Sequence, residues 1–151
     1  MNKHGTVMTT QLSELIKRAD KAAIVRFSTD ENTDRTNSCS LETYDGPGDP
    51  ANVVPCRYTI LAAGPIWSGG KQNEALRLYR CYQDVLAMAK QNEIRTIGLP
   101  SKISGFPDKM AALVAQGAVE DFLMQHPGSF EKIIWIFPDT AAKQTFDILM
   151  N

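Results

Sequence analysis

Apolar and polar positions follow two different periods along this chain, and each change of period marks a new element. Four short runs are compact, apolar and rich in β-branched residues, which is typical of strands. The last of them, KIIWIF, is almost entirely apolar, so it predicts a strand that is covered on both faces. The four predicted strands are residues 22–27, 57–62, 94–99 and 132–137.

Around these runs the apolar residues recur every three or four positions, which predicts amphipathic helices. The helices are expected at residues 10–18, 75–89, 107–126 and 140–150. Pro107 is expected in the first turn of the third helix, where its missing N–H is harmless. Because helices alternate with strands, we predict one α/β domain, residues 1–151, built as a three-layer α/β/α sandwich with a mixed, mostly parallel central sheet.

The segment 28–55 interrupts this alternation. It is dominated by Asp, Thr, Asn, Ser and Gly, and Pro47, Pro50 and Pro55 block regular ladders. We expect a long polar loop, with or without one short strand. Loops of this length in compact domains are usually functional or disordered, and this one is a candidate surface for a protein partner.

Charge and cysteine content exclude several classes of function. The chain has 16 Lys plus Arg against 17 Asp plus Glu, so no basic field points to nucleic acid. Its three cysteines lack CxxC spacing, and the two histidines are far apart, so neither a disulfide framework nor a metal site is indicated and no cofactor is expected. Without a signal-peptide core or a window of about 18 apolar residues, we expect no membrane contact and a reduced, cytoplasmic setting.

Candidate ligand chemistry gathers at the turns that follow the strands, because open α/β sheets bind ligands beyond the carboxyl ends of their strands. Residues 64–70, Gly-Pro-Ile-Trp-Ser-Gly-Gly, form what we call the glycine turn; it either cradles a phosphate, with Gly64 as a candidate contact, or simply leads into the helix. Residues 101–107 form a second turn, which we call the ligand loop. With Lys102 nearby it is a candidate anion cradle. Its candidate binding residues are Ser101, Ile103, Ser104, Gly105 and Phe106.

Two further places offer polar or aromatic groups at the same edge. Phe137 either stacks on a nucleobase or is buried in the core, and Asp139 either contacts ligand or caps the last helix. Asp30, with Glu31 and Asp34 close by, is a candidate general base or ribose ligand, although a solvated loop accounts for the same residues.

Several of these segments together resemble the macro domain family. The resemblance rests on AGPIWSGGKQNEALRLYRCYQ, then RTIGLP, a Ser-Gly-Phe-Pro turn and KIIWIFPD, and it covers residues 57–149. It implies a domain that binds ADP-ribose and often removes it from proteins or metabolites. By this resemblance, Ser104, Gly105 and Phe106 hold phosphate, while Asp30 or Asn32 lies near the ribose as a candidate catalytic residue.

The chain departs from the family pattern in its N-terminal third and in its phosphate loops. Arg26-Phe27-Ser28 replaces part of an Asn-Ala-Ala-Asn motif, residues 33–55 have no glycine run, and Gly105 matches only one of two loop glycines. No acid occurs near Thr6, where family members read adenine. Two functions stay open: a binder of ADP-ribose or a related nucleotide with weak hydrolysis of ADP-ribosyl or O-acetyl-ADP-ribose bonds, or an inactive macro-like module for protein interaction or regulation.

Overall fold

The computed structural model describes residues 2–3, 5–9, 21–28, 39–44, 48, 56–103, 105–137 and 139–150. Within them the chain forms seven strands and three helices. The strands are β1 (Asn2–Lys3), β2 (Thr6–Thr9), β3 (Ala22–Ser28), β4 (Cys39–Thr43), β5 (Tyr58–Ala63), β6 (Thr96–Pro100) and β7 (Lys132–Ile136). The helices are α1 (Glu74–Gln91), α2 (Asp108–Gln125) and α3 (Thr140–Met150).

All seven strands belong to one sheet with the order β1-β2-β7-β6-β3-β5-β4. The five inner strands are parallel, and the two outer strands, β1 and β4, each pair antiparallel with a neighbour. This confirms the predicted mixed, mostly parallel sheet.

The three described helices cover one face of the sheet. Tyr82 of α1, Phe122 of α2 and Phe146 of α3 join Trp135 of β7 in one large core, and each is at most 3% exposed. On the opposite face, Ala22, Ile24 and Ile134 are at most 3% exposed as well. Both faces are therefore covered, which confirms the α/β sandwich. The helix predicted at residues 10–18 lies outside the described residues.

Most predicted elements are present, with their ends shifted by at most two residues, and α3 has the predicted bounds. Pro107 is a correction: it precedes α2 with φ −58 and ψ 138 instead of lying in the first turn, because its extended ψ cannot continue a helix. β4 lies within the predicted loop, where Leu41 pairs with Ile60 of β5. No described helix is long and apolar enough to cross a membrane.

The hairpin of β1 and β2 was not predicted, because its short polar sequence shows neither period. The sheet itself stabilises it: β2 runs parallel to β7, with Met8 opposite Ile133. The hydroxyl of Thr6 is buried and donates a hydrogen bond of 2.7 Å to the carbonyl of Phe130.

The topology predicts a crevice at the carboxyl end of the sheet. From β3 the chain continues through β4 to β5 on one side, whereas from β6 it continues to β7 on the other side, and β3 and β6 are neighbours. Such a switch point is where open α/β sheets bind their ligands. The ligand loop follows β6 directly, so it borders this crevice.

Candidate ligand-binding site

The glycine turn is closed on itself by the side chain of Glu74, the first residue of α1. The buried carboxylate of Glu74 accepts hydrogen bonds from the backbone N–H groups of Ser68, at 2.9 Å, of Gly70, at 2.8 Å, and of Gln72. These bonds, with that from Ser68 the strongest influence, hold the pKa of Glu74 below its ordinary value although burial opposes them. The N–H groups that a phosphate would need already bind a carboxylate. Of the two interpretations, the simple turn into a helix is therefore favoured.

Gly64, which follows β5, and Ile103, which follows β6, lie in close contact. The N–H of Gly64 donates a hydrogen bond of 2.8 Å to the carbonyl of Ser28, at the end of β3. A Cβ at position 64 would lie 2.5 Å from Cδ1 of Ile103, which is only 3% exposed. Gly64 thus lets the ligand loop approach β5, and the side chain of Ile103 belongs to the core. Any ligand contact from Ile103 must come from its backbone.

The ligand loop buries most of its side chains and exposes its backbone at Gly105. Phe106 is 1% exposed, and Ser101 is 2% exposed with a hydroxyl that has no hydrogen-bond partner within the described part of the chain. Gly105 is exposed and has φ 92, a conformation that L side chains rarely adopt. Lys102 forms an ion pair with Asp108 in the first turn of α2. Ser104 lies outside the described residues.

Trp67 connects the glycine turn to the ligand loop, and sequence reasoning did not single it out. Its ring lies 5.2 Å from that of Phe106, centroid to centroid, at an interplanar angle of 53°. A Cβ at Gly105 would lie 3.8 Å from Cβ of Trp67, and a Cβ at Gly70 would lie 3.0 Å from its Cη2. The sequence did offer a signal for this contact, because a large aromatic residue stands two positions before a pair of glycines.

At the end of β7, Phe137 and Asp139 have structural partners. Phe137 is half-buried and meets the ring of Phe146 edge-on at 5.1 Å, which leaves part of its ring accessible. Asp139 is exposed and accepts a hydrogen bond of 2.8 Å from the backbone N–H of Ala142. This hydrogen bond supports the capping role of Asp139. A contact between Asp139 and a ligand stays a prediction.

Asp139→Ala is expected to destabilise the protein by about 1 kcal/mol, because α3 loses the acceptor for an N–H of its first turn. For a chain of this size, the midpoint of thermal unfolding should fall by roughly 2 to 4 °C. Asp147→Ala is the matched control, since Asp147 makes only an exposed ion pair with Lys143 on the same helix. It should change stability by less than about 0.5 kcal/mol. Equal losses in the two variants would contradict the capping role.

The two candidate catalytic residues, Asp30 and Asn32, lie outside the described residues, as does most of the segment 28–55. The described part of this segment is Ser28, residues 39–44 and Gly48. Ser28 ends β3 next to the crevice, opposite Ala63 of β5. The roles of Asp30 and Asn32 therefore stay predictions.

The cysteines are free thiols. Cys39 donates to the sulfur of Met88 at 3.5 Å, and Cys81 donates to the carbonyl of Ala63 at 3.2 Å. Burial, with a smaller effect of the neighbouring Asp84 carboxylate, raises the pKa of both thiols to about 11, so they are protonated at neutral pH. No group of three His, Cys, Asp or Glu side chains among the described residues is arranged to hold a metal ion.

Comparison with known proteins gives several relatives that are named as macro domain proteins. A macro domain-containing protein of Ralstonia nicotianae is 35% identical over 105 residues, which are 68% of this chain and 59% of that protein. An O-acetyl-ADP-ribose deacetylase of Enterobacter sp. is 30% identical over 103 residues, 66% of this chain and 57% of that protein. The chain spans about half the length of the curated relatives that it matches.

Solved structures with the same fold are also macrodomains. A mutant macrodomain of Oceanobacillus iheyensis superposes with a TM-score of 0.72 at 15% identity, covering 99% of this chain and 94% of the other. The macrodomain of Trypanosoma brucei in complex with ADP-ribose has a TM-score of 0.63 at 22% identity, covering 78% and 47%. At these identities the likeness concerns the fold. The sequence model of the macro domain matches residues 21–115, more than half of the chain, and the protein therefore belongs to the macro domain family.

Proposed function

We propose that this protein binds ADP-ribose or a related nucleotide in the crevice at the carboxyl ends of β3 and β6. The observation that carries the proposal is the ligand loop, whose exposed, positive-φ Gly105 lies at the switch point just before α2. Membership of the macro domain family supports it, as does the ADP-ribose complex of the Trypanosoma brucei relative.

The start of α2 suits the diphosphate of such a ligand. The helix has 18 residues, and its N-cap residue, Pro107, has no side-chain hydrogen bond to the first N–H groups. The N-terminus of a helix carries a partial positive charge and favours bound anions. Asp108 in the first turn would oppose an anion, but Lys102 pairs with its carboxylate. Diphosphate oxygens would therefore meet backbone N–H groups near Gly105.

The remaining candidate residues have roles that follow from their burial. Ser101, Ile103 and Phe106 have buried side chains, so we assign them backbone contacts or support of the loop. The accessible part of the Phe137 ring is available for stacking on the base. Ser104, Asp30 and Asn32 complete the proposed site, with Asp30 or Asn32 near the distal ribose.

Hydrolysis of an ADP-ribosyl or O-acetyl-ADP-ribose bond is the finer part of the proposal. The name of the Enterobacter relative, O-acetyl-ADP-ribose deacetylase, makes that compound the first substrate to test. Hydrolysis needs the ribose and a water molecule held in register, and a misplacement of about 1 Å costs on the order of a hundredfold in rate.

The second candidate function is that of a macro-like module without catalysis that binds a protein through residues 28–55. Two contacts favour it: Glu74 occupies N–H groups of the glycine turn, and Lys102 is paired with Asp108. Both contacts leave fewer groups for a phosphate.

Thermal unfolding with and without ADP-ribose tests the proposal. Ligand at a hundred times its dissociation constant adds about 2.7 kcal/mol of stability, which should raise the midpoint by roughly 5 to 10 °C. AMP and ribose 5-phosphate serve as partial ligands that should give smaller shifts. No shift at millimolar ADP-ribose would contradict nucleotide binding and favour the interaction module. Release of acetate from O-acetyl-ADP-ribose then separates hydrolysis from binding alone.

A further inference from the structure

We propose that Glu74 is a positioning residue for the ligand loop, although it lies on a different element, at the start of α1. By binding the backbone of the glycine turn, its carboxylate holds Trp67 against Phe106 and Gly105. The inference rests on the proposed function for its effect on ligand affinity, but its effect on the loop is independent of any ligand.

The first step is the bond between Glu74 and the turn. Three N–H groups from Ser68, Gly70 and Gln72 converge on one carboxylate, which is 0% exposed. Hydrogen bonds to a charged acceptor are stronger than those between neutral groups. Because the turn contains Gly69 and Gly70, both at φ 89, its backbone has little preference of its own for this shape. The carboxylate therefore sets the conformation of the turn.

The second step is the contact between the turn and the ligand loop. Trp67 precedes the first bonded residue, Ser68, so the position of its ring depends on that of the turn. The ring packs on Phe106 with centroids 5.2 Å apart, and Phe106 is 1% exposed. Gly105, an exposed residue of the loop, directly precedes Phe106 and lies beside Cβ of Trp67. A shift of Trp67 is thus transmitted to the backbone that the proposed ligand would contact.

A purely local role for Glu74 makes a different prediction. If the carboxylate only ordered the start of α1, its loss would destabilise the protein without altering the ligand loop. The positioning role requires that the loop respond whenever Trp67 is displaced, even with Glu74 intact.

Gly69 and Gly70 offer a matched pair that separates the two roles. Both are exposed and have φ 89, so an alanine is equally strained at either position. A Cβ at position 70 would lie 3.0 Å from Cη2 of Trp67, whereas a Cβ at position 69 meets nothing within 4 Å. Gly70→Ala therefore shifts the Trp67 ring by a few tenths of an ångström, and Gly69→Ala reproduces the backbone strain without this contact.

The readouts are Trp67 fluorescence, hydrogen–deuterium exchange of residues 101–107 and ADP-ribose affinity. All proteins carry Trp135→Phe, which leaves Trp67 as the one tryptophan of the two in the chain. Gly70→Ala should shift the emission, speed exchange in the loop and weaken ADP-ribose binding about tenfold, the loss expected when a hydrogen bond to a charged group is misplaced. Gly69→Ala should change none of the three. Equal loop exchange in the two variants would overturn the proposal.

Chemical rescue tests the carboxylate itself. Glu74→Ala removes the acceptor and leaves three N–H groups facing the vacated space, so formate should bind there. We expect Glu74→Ala to speed loop exchange and shift Trp67 emission, and millimolar formate, but not chloride, to reverse both changes. Equal responses to formate and chloride would contradict hydrogen bonding by the carboxylate as the cause. If Glu74→Ala does not fold, the Gly70 and Gly69 pair decides.

These measurements distinguish failure of this inference from failure of the proposed function. If wild-type protein does not bind ADP-ribose, the proposed function is wrong, but loop exchange and Trp67 emission still test the positioning role. If wild-type protein binds and Gly70→Ala moves Trp67 without speeding exchange in the ligand loop, the proposed function stands and Glu74 is not a positioning residue for that loop.

Discussion

Gly105→Glu is expected to abolish binding of ADP-ribose, with a loss in affinity of at least about a hundredfold. Gly105 is an exposed backbone position of the ligand loop, just before α2. A carboxylate here would lie against the diphosphate, and two like charges about 4 Å apart repel by about 4 kcal/mol near a protein surface. Titration calorimetry with ADP-ribose measures the loss, since a hundredfold change corresponds to about 2.7 kcal/mol.

The matched control for this experiment is Gly128→Glu. Gly128 is exposed, has φ 75 and leaves open space for a side chain, so it reproduces both the strain and the added charge. It lies before β7, at the opposite end of the sheet from the ligand loop, where its carbonyl accepts a hydrogen bond from Arg95. Gly128→Glu should bind ADP-ribose as the wild type does. Unchanged binding by Gly105→Glu would place the phosphate site elsewhere.

Glu74→Gln is expected to lower the midpoint of thermal unfolding at pH 7 by roughly 5 to 10 °C. The amide retains one oxygen acceptor but places an NH₂ donor toward a backbone N–H that now lacks its partner. Ser68, Gly70 and Gln72 cannot all be satisfied by the neutral side chain. Glu93→Gln is a control of equal charge change on an exposed residue, and it should leave the midpoint nearly unchanged.

The difference between wild type and Glu74→Gln should depend on pH in a defined direction. The pKa of Glu74 in the folded protein lies below its ordinary value of 4.5, chiefly because of the hydrogen bond from Ser68. A lowered folded pKa means that the stabilisation is complete above about pH 4.5 and is lost as the pH falls through the folded pKa. The two midpoints should therefore differ most at neutral pH and converge in acid. A difference that grows below pH 4.5 would contradict an ionised Glu74.

Elements with a strong hydrophobic period were predicted well, because that period is carried by residues close together in the chain. Ile133, Ile134 and Trp135 at the centre of the last apolar run are buried, and so are Tyr82 and most of the apolar stripe of α1. The hairpin of β1 and β2 escaped prediction, because a short edge strand is stabilised by its partner in the sheet and not by its own composition. For the same reason β4 was allowed for within residues 28–55 as one short strand, but its position was not predicted.

The position of the candidate site was predicted, but the orientation of its side chains was not. The ligand loop was recognised from Gly105 and from its place between a strand and a helix. Its side chains could not be assigned, because Ile103 and Phe106 are apolar residues in a polar turn and only their contacts show that they face the core. The pairing of Lys102 with Asp108 likewise depends on how the loop folds back on α2.

By itself the sequence determined the α/β class, the parallel core strands and the family, since period and motif are carried by residues close together in the chain. Only the tertiary structure decided what the glycine turn does. Its N–H groups could bind either a phosphate or a carboxylate. They bind the carboxylate of Glu74, because α1 begins at a point from which this side chain reaches them. The contact of Trp67 with Phe106 joins loops after different strands, and only the order of the sheet brings them together.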